Sequence, residues 1–234
     1  SGVELEGLNL VVDDAAIGSH PKRLGKTFSE LPFEGTPPMS TPFRYQGVRS
    51  DVRRISKDSH LTVDEQVEYV NAIVEEWYAS TGLTPRKVKG GPLYVSEVKA
   101  NHFAGEETVK PLTEEETSPG KFKEVARHFV YSLAYAVQGT RPDLATAIGM
   151  LEALVDKWSL LADKMLIRVF NYVWQTAHFV LVGVVCEKDR HCARTMIAPD
   201  ASLNLPKQGV KTRFGGIVFL IGRRTLVPLR WGSW

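Results

Sequence analysis

The 234-residue chain has only two cysteines, Cys186 and Cys192, which excludes a disulfide framework and suits a reducing compartment. His191 beside Cys192 and His178 upstream match no four-ligand spacing, so a closed zinc site is not expected. Long apolar runs are missing as well. The most apolar stretch, Phe179 to Val185, is far too short to cross a bilayer and reads as a buried strand; Arg168, Asn171, Gln175 and His178 interrupt the region before it. No membrane partner is expected. The chain opens with no cationic, apolar and small-residue leader, begins at Ser1 rather than Met, and reads as a fragment. No internal repeat is visible. The formal charge of +2 is too small to argue by itself for a polyanion partner.

What is present is an ordinary globular composition, 43% hydrophobic and 24% charged, with five tryptophans to build packing surfaces. The length suits one large domain or two small ones. Charge is unevenly spread. Residues 43 to 57 hold Arg44, Arg49, Arg53, Arg54 and Lys57 against Asp51 alone, and from Pro206 onward Lys207, Lys211, Arg213, Arg223, Arg224 and Arg230 meet no acid at all. Phosphate contact and a solvated strand face explain these stretches equally well.

The feature that asks most for a chemical reason is Leu8-Asn9-Leu10-Val11-Val12-Asp13-Asp14, followed by the small, apolar Ala15-Ala16-Ile17-Gly18. It reads as a strand that delivers two carboxylates to a tight turn, after which a second short strand begins. Adjacent carboxylates raise each other's pKa unless a cation lies between them, and a divalent metal is the natural compensator. Nucleotidyl transfer uses such pairs, because two Mg²⁺ ions about 4 Å apart stabilise both the attacking and the leaving oxygen. Turn chemistry alone also places aspartates at strand ends.

Further along, His20 to Leu31 carries Leu24, Phe28 and Leu31 at helical spacing, and Pro37-Pro38 stops any continuation. Phe43 to Val48 alternates like a strand, with Ile55 to Val63 as its antiparallel partner. Thr62 or Asp64 is placed to cap the next helix, whose stripe is Val67, Val70, Ile73, Val74 and Trp77, as far as Thr81. Gly82 to Gly120 lacks periodicity and reads as a linker. Phe122 to Gln138 is amphipathic through Val125, Phe129, Val130, Leu133 and Val137, with Gly139 at its end. Thr140-Arg141-Pro142-Asp143 reads as the start of a helix to about Lys157, with Thr140 as its cap, and a third helix covers about Leu160 to Gln175. Beyond His178 come strands at Phe179 to Val185, Arg194 to Pro199, Gly216 to Ile221 and Leu226 to Trp231, so a domain boundary is expected near residue 177. Asp200 lies at the end of the second of these, before Ala201-Ser202, where an Asx turn is the ordinary alternative to a functional role.

In this order the elements resemble part of the Pol polyprotein of copia-type long-terminal-repeat retrotransposons, from the middle of the reverse transcriptase to the beginning of ribonuclease H. Val11-Val12-Asp13-Asp14 resembles the polymerase motif ending in two aspartates, and Phe43 to Val48 the strand after the palm helix. Gln66-Val67-Glu68-Tyr69 fits a helix start found soon after. The most specific match runs from Tyr131 to Leu144 and ends in Thr140-Arg141-Pro142-Asp143. Asp200-Ala201-Ser202, Gly215 to Leu220 and Leu229-Arg230-Trp231 resemble the first three ribonuclease H strands, so the resemblance covers nearly the whole chain.

The resemblance implies an α+β protein: a partial palm over residues 1–81, a linker over 82–120, a helical thumb or connection over 121–177, and an incomplete ribonuclease H-like meander over 178–234. It implies Asp13, Asp14 and Asp200 as catalytic, Mg²⁺-holding carboxylates, with Arg53, Arg54 and Arg141 as candidate nucleic-acid contacts. The intact protein would act on a template-primer hybrid of RNA or DNA and on deoxynucleotides, alongside the rest of the polyprotein, in an intracellular particle or the nucleus. For Arg141 the residue pattern itself favours a structural pair with a nearby acid. The third palm carboxylate would precede Ser1 and the later ribonuclease H acids would follow Trp234, so neither active site is complete in this stretch. Val11 stands where an aromatic is frequent, and Lys211-Thr212-Arg213-Phe214-Gly215 departs from the usual lysine-serine-threonine-serine-glycine. The alternative is a decayed or co-opted relic that keeps packing and nucleic-acid binding without chemistry.

Overall fold

The computed structural model describes residues 7–11, 14–18, 43–45, 47–92, 114, 118–202 and 213–233; of Asp14 and Asp200 the backbone alone is described. These residues form an α+β arrangement of helices and antiparallel sheet. Strands β1 (Gly7–Val11) and β2 (Asp14–Gly18) make a two-stranded sheet of their own. The larger sheet has seven strands: β3 (Phe43–Tyr45), β4 (Val48–Arg54), β5 (Ser59–Glu65), β6 (Leu181–Cys186), β7 (Arg194–Ser202), β8 (Arg213–Ile221) and β9 (Leu226–Ser233). Their spatial order is β3-β4-β5-β6-β9-β8-β7, every pairing antiparallel.

The sheet does not stop near residue 177. β5 pairs with β6 from Ser59↔Cys186 to Asp64↔Leu181, so strands on either side of the helical segment share one ladder. The physical reason lies in their composition: Leu61 and Val63, opposite Val184 and Val182, offer each other β-branched and aliphatic neighbours. The strand expected from Phe43 to Val48 is instead broken at Gly47, whose φ of 71° belongs to a turn, and β4 rather than Ile55 to Val63 answers β3. The helix expected over residues 20–31 lies outside the described residues.

Among the described residues four α-helices follow from 3.6-residue periodicity: α1 (Val67–Thr81), α2 (Lys123–Gly139), α3 (Ala145–Glu152) and α4 (Leu160–Gln175). Their apolar stripes converge on one core that includes Val70, Ile73, Trp77, Phe129, Leu133, Ile148, Leu166 and Phe170. Trp77 is its centre, stacked on Phe170 at 4.4 Å and meeting Phe129 edge-on at 5.0 Å. β9 is fastened to this bundle by Trp231, whose Nε1 donates to the Val137 carbonyl at 2.6 Å.

Helix ends depart from expectation in instructive ways. Neither Thr62 nor Asp64 caps α1: Gln66 occupies that position without a side-chain cap bond, and Asp64 instead accepts from Ser50 Oγ across the sheet at 2.5 Å. Thr140 closes α2 rather than opening the next helix; its amide donates to the Ala136 carbonyl and its hydroxyl to Gln66 Oε1 at 3.2 Å. The helix expected from Arg141 to Lys157 is divided into a 3₁₀ turn at Pro142–Leu144, α3, and a second 3₁₀ turn at Val155–Lys157. Ser159 caps α4 by accepting from the Ala162 amide. Asp163, in the first turn of α4, accepts from the amides of Lys121 and Phe122 and from Trp158 Nε1, tying the starts of α2 and α4 together.

Candidate catalytic carboxylates and basic contacts

The β1–β2 ladder runs from Gly7↔Gly18 to Val11↔Asp14. Asp14 is therefore the first residue of the second strand and not the last of the first. Asp13 and its neighbour Val12 lie outside the described residues. Asp200 sits inside β7, opposite Gly215 and two places short of the strand's end at Ser202. Asp14 and Asp200 belong to separate sheets.

The donor chemistry of these positions suits a hard ion: carboxylates with no cysteine or histidine beside them in sequence favour Mg²⁺ over zinc. Two neighbouring acids supply only part of such an ion's shell. Among the described residues no three His, Cys, Asp or Glu side chains are grouped closely enough to hold a metal. The cysteines are unlike one another, Cys186 being buried and Cys192 exposed.

The three arginines named from the sequence have different surroundings. Arg53 is exposed and donates through Nε to Asp51 Oδ2 at 2.8 Å, a bond that holds the Asp51 carboxyl below its ordinary range. Arg54, next along β4, points to the other side of the sheet and donates to the Ser56 and Lys57 carbonyls at 3.0 Å each, closing the turn into β5. The pair therefore does not form one contact surface.

Arg141 faces inward. At 1% exposure it donates to both oxygens of Asp143, to the Thr176 carbonyl at 3.1 Å and to Thr176 Oγ1 at 2.7 Å. Four of its five N–H groups are thus satisfied within the fold, and the rings of Tyr172 and Phe179 lie 5.9 and 5.6 Å from its guanidinium carbon. Tyr172 completes the cluster by donating to Asp143 Oδ2 at 3.0 Å. The expectation that Arg141 contacts nucleic acid does not suit this geometry, because the guanidinium is buried and four of its N–H groups are already engaged by Asp143 and Thr176. Its role is to lock the corner between α2 and α3 onto the end of α4.

Sequence reasoning did not single out Asp189. It lies in a 3₁₀ turn at Glu187–Asp189, is buried, and accepts from the Arg224 amide at 2.6 Å. That amide, assisted by Thr225 and Cys192, keeps the carboxyl below its ordinary range. A lone acid inside Lys188-Asp189-Arg190 was the available signal. Among the described residues no helix is long and apolar enough to cross a membrane. No family model, curated protein or solved structure matches the chain.

Proposed function

We propose that the chain is a segment of an RNA-directed DNA polymerase, with the start of a ribonuclease H domain, from a copia-type retrotransposon polyprotein. The observation that carries this reading is the aspartate pair at residues 13 and 14, within motifs that follow the family's order as far as Trp231. The two-stranded ladder ending at Val11↔Asp14 supports it, since a hairpin tip is where paired carboxylates reach a ligand. The antiparallel run β7-β8-β9, with Asp200 in its first strand, supports the second half.

Asp13 and Asp14 would hold Mg²⁺ in the polymerase site and Asp200 in the ribonuclease H site, each completed by acids from elsewhere in the polyprotein. When bound, the ions neutralise phosphate charge and stabilise the attacking and leaving oxygens. The protein's own part is to fix the carboxylates and align template, primer and deoxynucleotide.

Primer extension by the full reading frame, in the presence of Mg²⁺, tests this directly. Template-directed extension that disappears in Asp13→Asn supports the reading. A full frame that folds and yet extends no primer rejects it in favour of a relic without chemistry, the outcome toward which the altered Lys211 to Gly215 segment points.

A further inference from the structure

At the end of the large sheet where β6 finishes at Cys186, two connections meet. One is Glu187–Ala193, between β6 and β7; the other is Gly222–Thr225, the turn between β8 and β9. Asp189 holds them together: its carboxylate accepts from the Arg224 amide, while its own carbonyl accepts from the amides of Cys192 and Ala193 at 2.8 and 2.7 Å. Gly222 permits this, because a Cβ there would lie 2.6 Å from Asp189 Oδ2. The turn is closed by the Gly222 amide donating to the Thr225 carbonyl at 2.9 Å, and Thr225 Oγ1 in turn accepts from the Cys186 amide.

This clasp crowds cations onto one surface. Lys188, Arg190, Arg194, Arg223 and Arg224 stand in these connections or at the adjoining start of β7, against Glu187 and Asp189. Asp189 is buried and engaged with backbone, and Lys188 is neutralised by Asp58 at 2.8 Å. Among the described residues no carboxylate pairs with Arg194, Arg223 or Arg224, and all three are exposed. Arg194 is opposite Ile221 in the β7–β8 ladder, so its side chain shares the strand end with Arg223. Arg194 and Arg223, with Cys192, Ile221 and Gly222, line a depression of about 300 Å³, and Arg224 is the next residue along the turn. Four other exposed arginines each have an acid beside them: Arg44 with Glu68, Arg49 with Glu65, Arg53 with Asp51, Arg127 with Asp156. Like charges gathered without counter-ions repel, and a polyanion that spans them removes that repulsion while releasing its own condensed counter-ions.

We infer that the Arg194, Arg223 and Arg224 surface is a phosphodiester-binding site that grips the backbone of a nucleic-acid strand without reading its sequence. The choice of nucleic acid among polyanions rests on the reading of the chain as part of a polymerase; the site itself rests on geometry. Binding of fluorescently labelled RNA–DNA hybrid and of oligothymidylate, measured by anisotropy over a range of salt, tests it. The double variant Arg223→Gln/Arg224→Gln weakens both probes alike, and the slope of log affinity against log salt falls by about 1 per phosphate contact removed. Arg223→Lys/Arg224→Lys keeps most of the affinity, since a point charge still meets a phosphate.

An unchanged salt slope in the glutamine variant overturns the inference, as does a loss with lysine as severe as with glutamine. So does a glutamine variant that loses only its attachment to anionic phosphatidylserine vesicles, which would assign the surface to a membrane. Primer extension by the full frame with wild-type arginines reports separately on the polymerase reading, so either idea can fail alone.

Discussion

The Arg141 guanidinium holds the Asp143 carboxylate with two parallel bonds, Nε to Oδ1 at 2.9 Å and Nη2 to Oδ2 at 2.8 Å, across the intervening Pro142. The proline fixes its own φ and limits the residue before it, so the Arg141 backbone is restricted before the two side chains meet. Arg141 is buried and Asp143 is exposed, so truncating the arginine leaves a carboxylate that water still reaches, and the loss is that of the charge-assisted bonds to Asp143 and Thr176, about 1–3 kcal/mol. Arg141→Ala is expected to lower the urea unfolding midpoint accordingly, while the oligonucleotide affinity of the folded fraction stays the same. A loss of affinity with unaltered stability would return Arg141 to the binding surface.

Gly139 marks a second close approach. A Cβ on that residue would overlap the Gln66 carboxamide, which is buried and bonded to the Thr140 hydroxyl. Gly139→Ala should therefore destabilise by about 1–3 kcal/mol, as overpacking does. Gln66→Ala in the same chain should recover part of that loss, and a double-mutant cycle by chemical denaturation measures the coupling.

Trp77 is fully buried, and its Nε1 has no hydrogen-bond partner among the described residues. Trp77→Ala is expected to cost about 3–5 kcal/mol through the cavity it leaves. Trp77→Phe keeps a ring against Phe170 and removes the unsatisfied N–H, so its cost should be well below that of alanine. Equal losses in thermal denaturation would show that ring stacking contributes little here.

Asp189 makes stability depend on acid. A carboxyl held below its ordinary value of 3.8 stabilises the fold above that pH, and the benefit disappears as pH falls through the lower folded value. Urea titrations taken below pH 4 should show wild-type stability declining more steeply than that of Asp189→Asn. Parallel curves would mean that the Arg224 amide does not favour the ionised form.

At the alkaline end the relevant group is Tyr78, whose hydroxyl donates to Asn171 Oδ1 at 3.0 Å and whose pKa burial pushes up from 10.0 to about 12. The folded state keeps this proton after the unfolded chain has lost it, so stability is complete below 10.0 and declines as pH rises toward 12. Tyr78→Phe should flatten that decline in guanidinium titrations; an equally steep fall in the variant would assign it to other groups.

Helices were the most legible part of the sequence. The stripe Val70, Ile73, Val74, Trp77 is buried as its spacing implies, and α4 spans Leu160–Gln175 as expected. What periodicity could not convey was tertiary choice. Thr140 has the chemistry of a cap, yet the buried Gln66 carboxamide takes its hydroxyl, and nothing between Glu152 and Lys157 is a breaker, yet α3 ends there. The Arg141-Pro142-Asp143 pairing was partly legible, since an acid two places from an arginine invites it, but its burial depended on Thr176 and Tyr172, far along the chain. Of the carboxylates, Asp14 and Asp200 were expected near strand ends, and the ladders place their backbones in β2 and β7. The clasp at Asp189 brings distant loops together, which no local pattern reveals.

The ladder joining β5 to β6 makes the two ends of the helical bundle interdependent. A protease that severed the chain between α1 and α2 would release two pieces, one with β3, β4 and β5, the other with β6 to β9, each carrying half of a shared hydrogen-bonded seam and half of the packing around Trp77. Such pieces should remain clamped together after cleavage and should regain structure from denaturant when mixed rather than when handled apart.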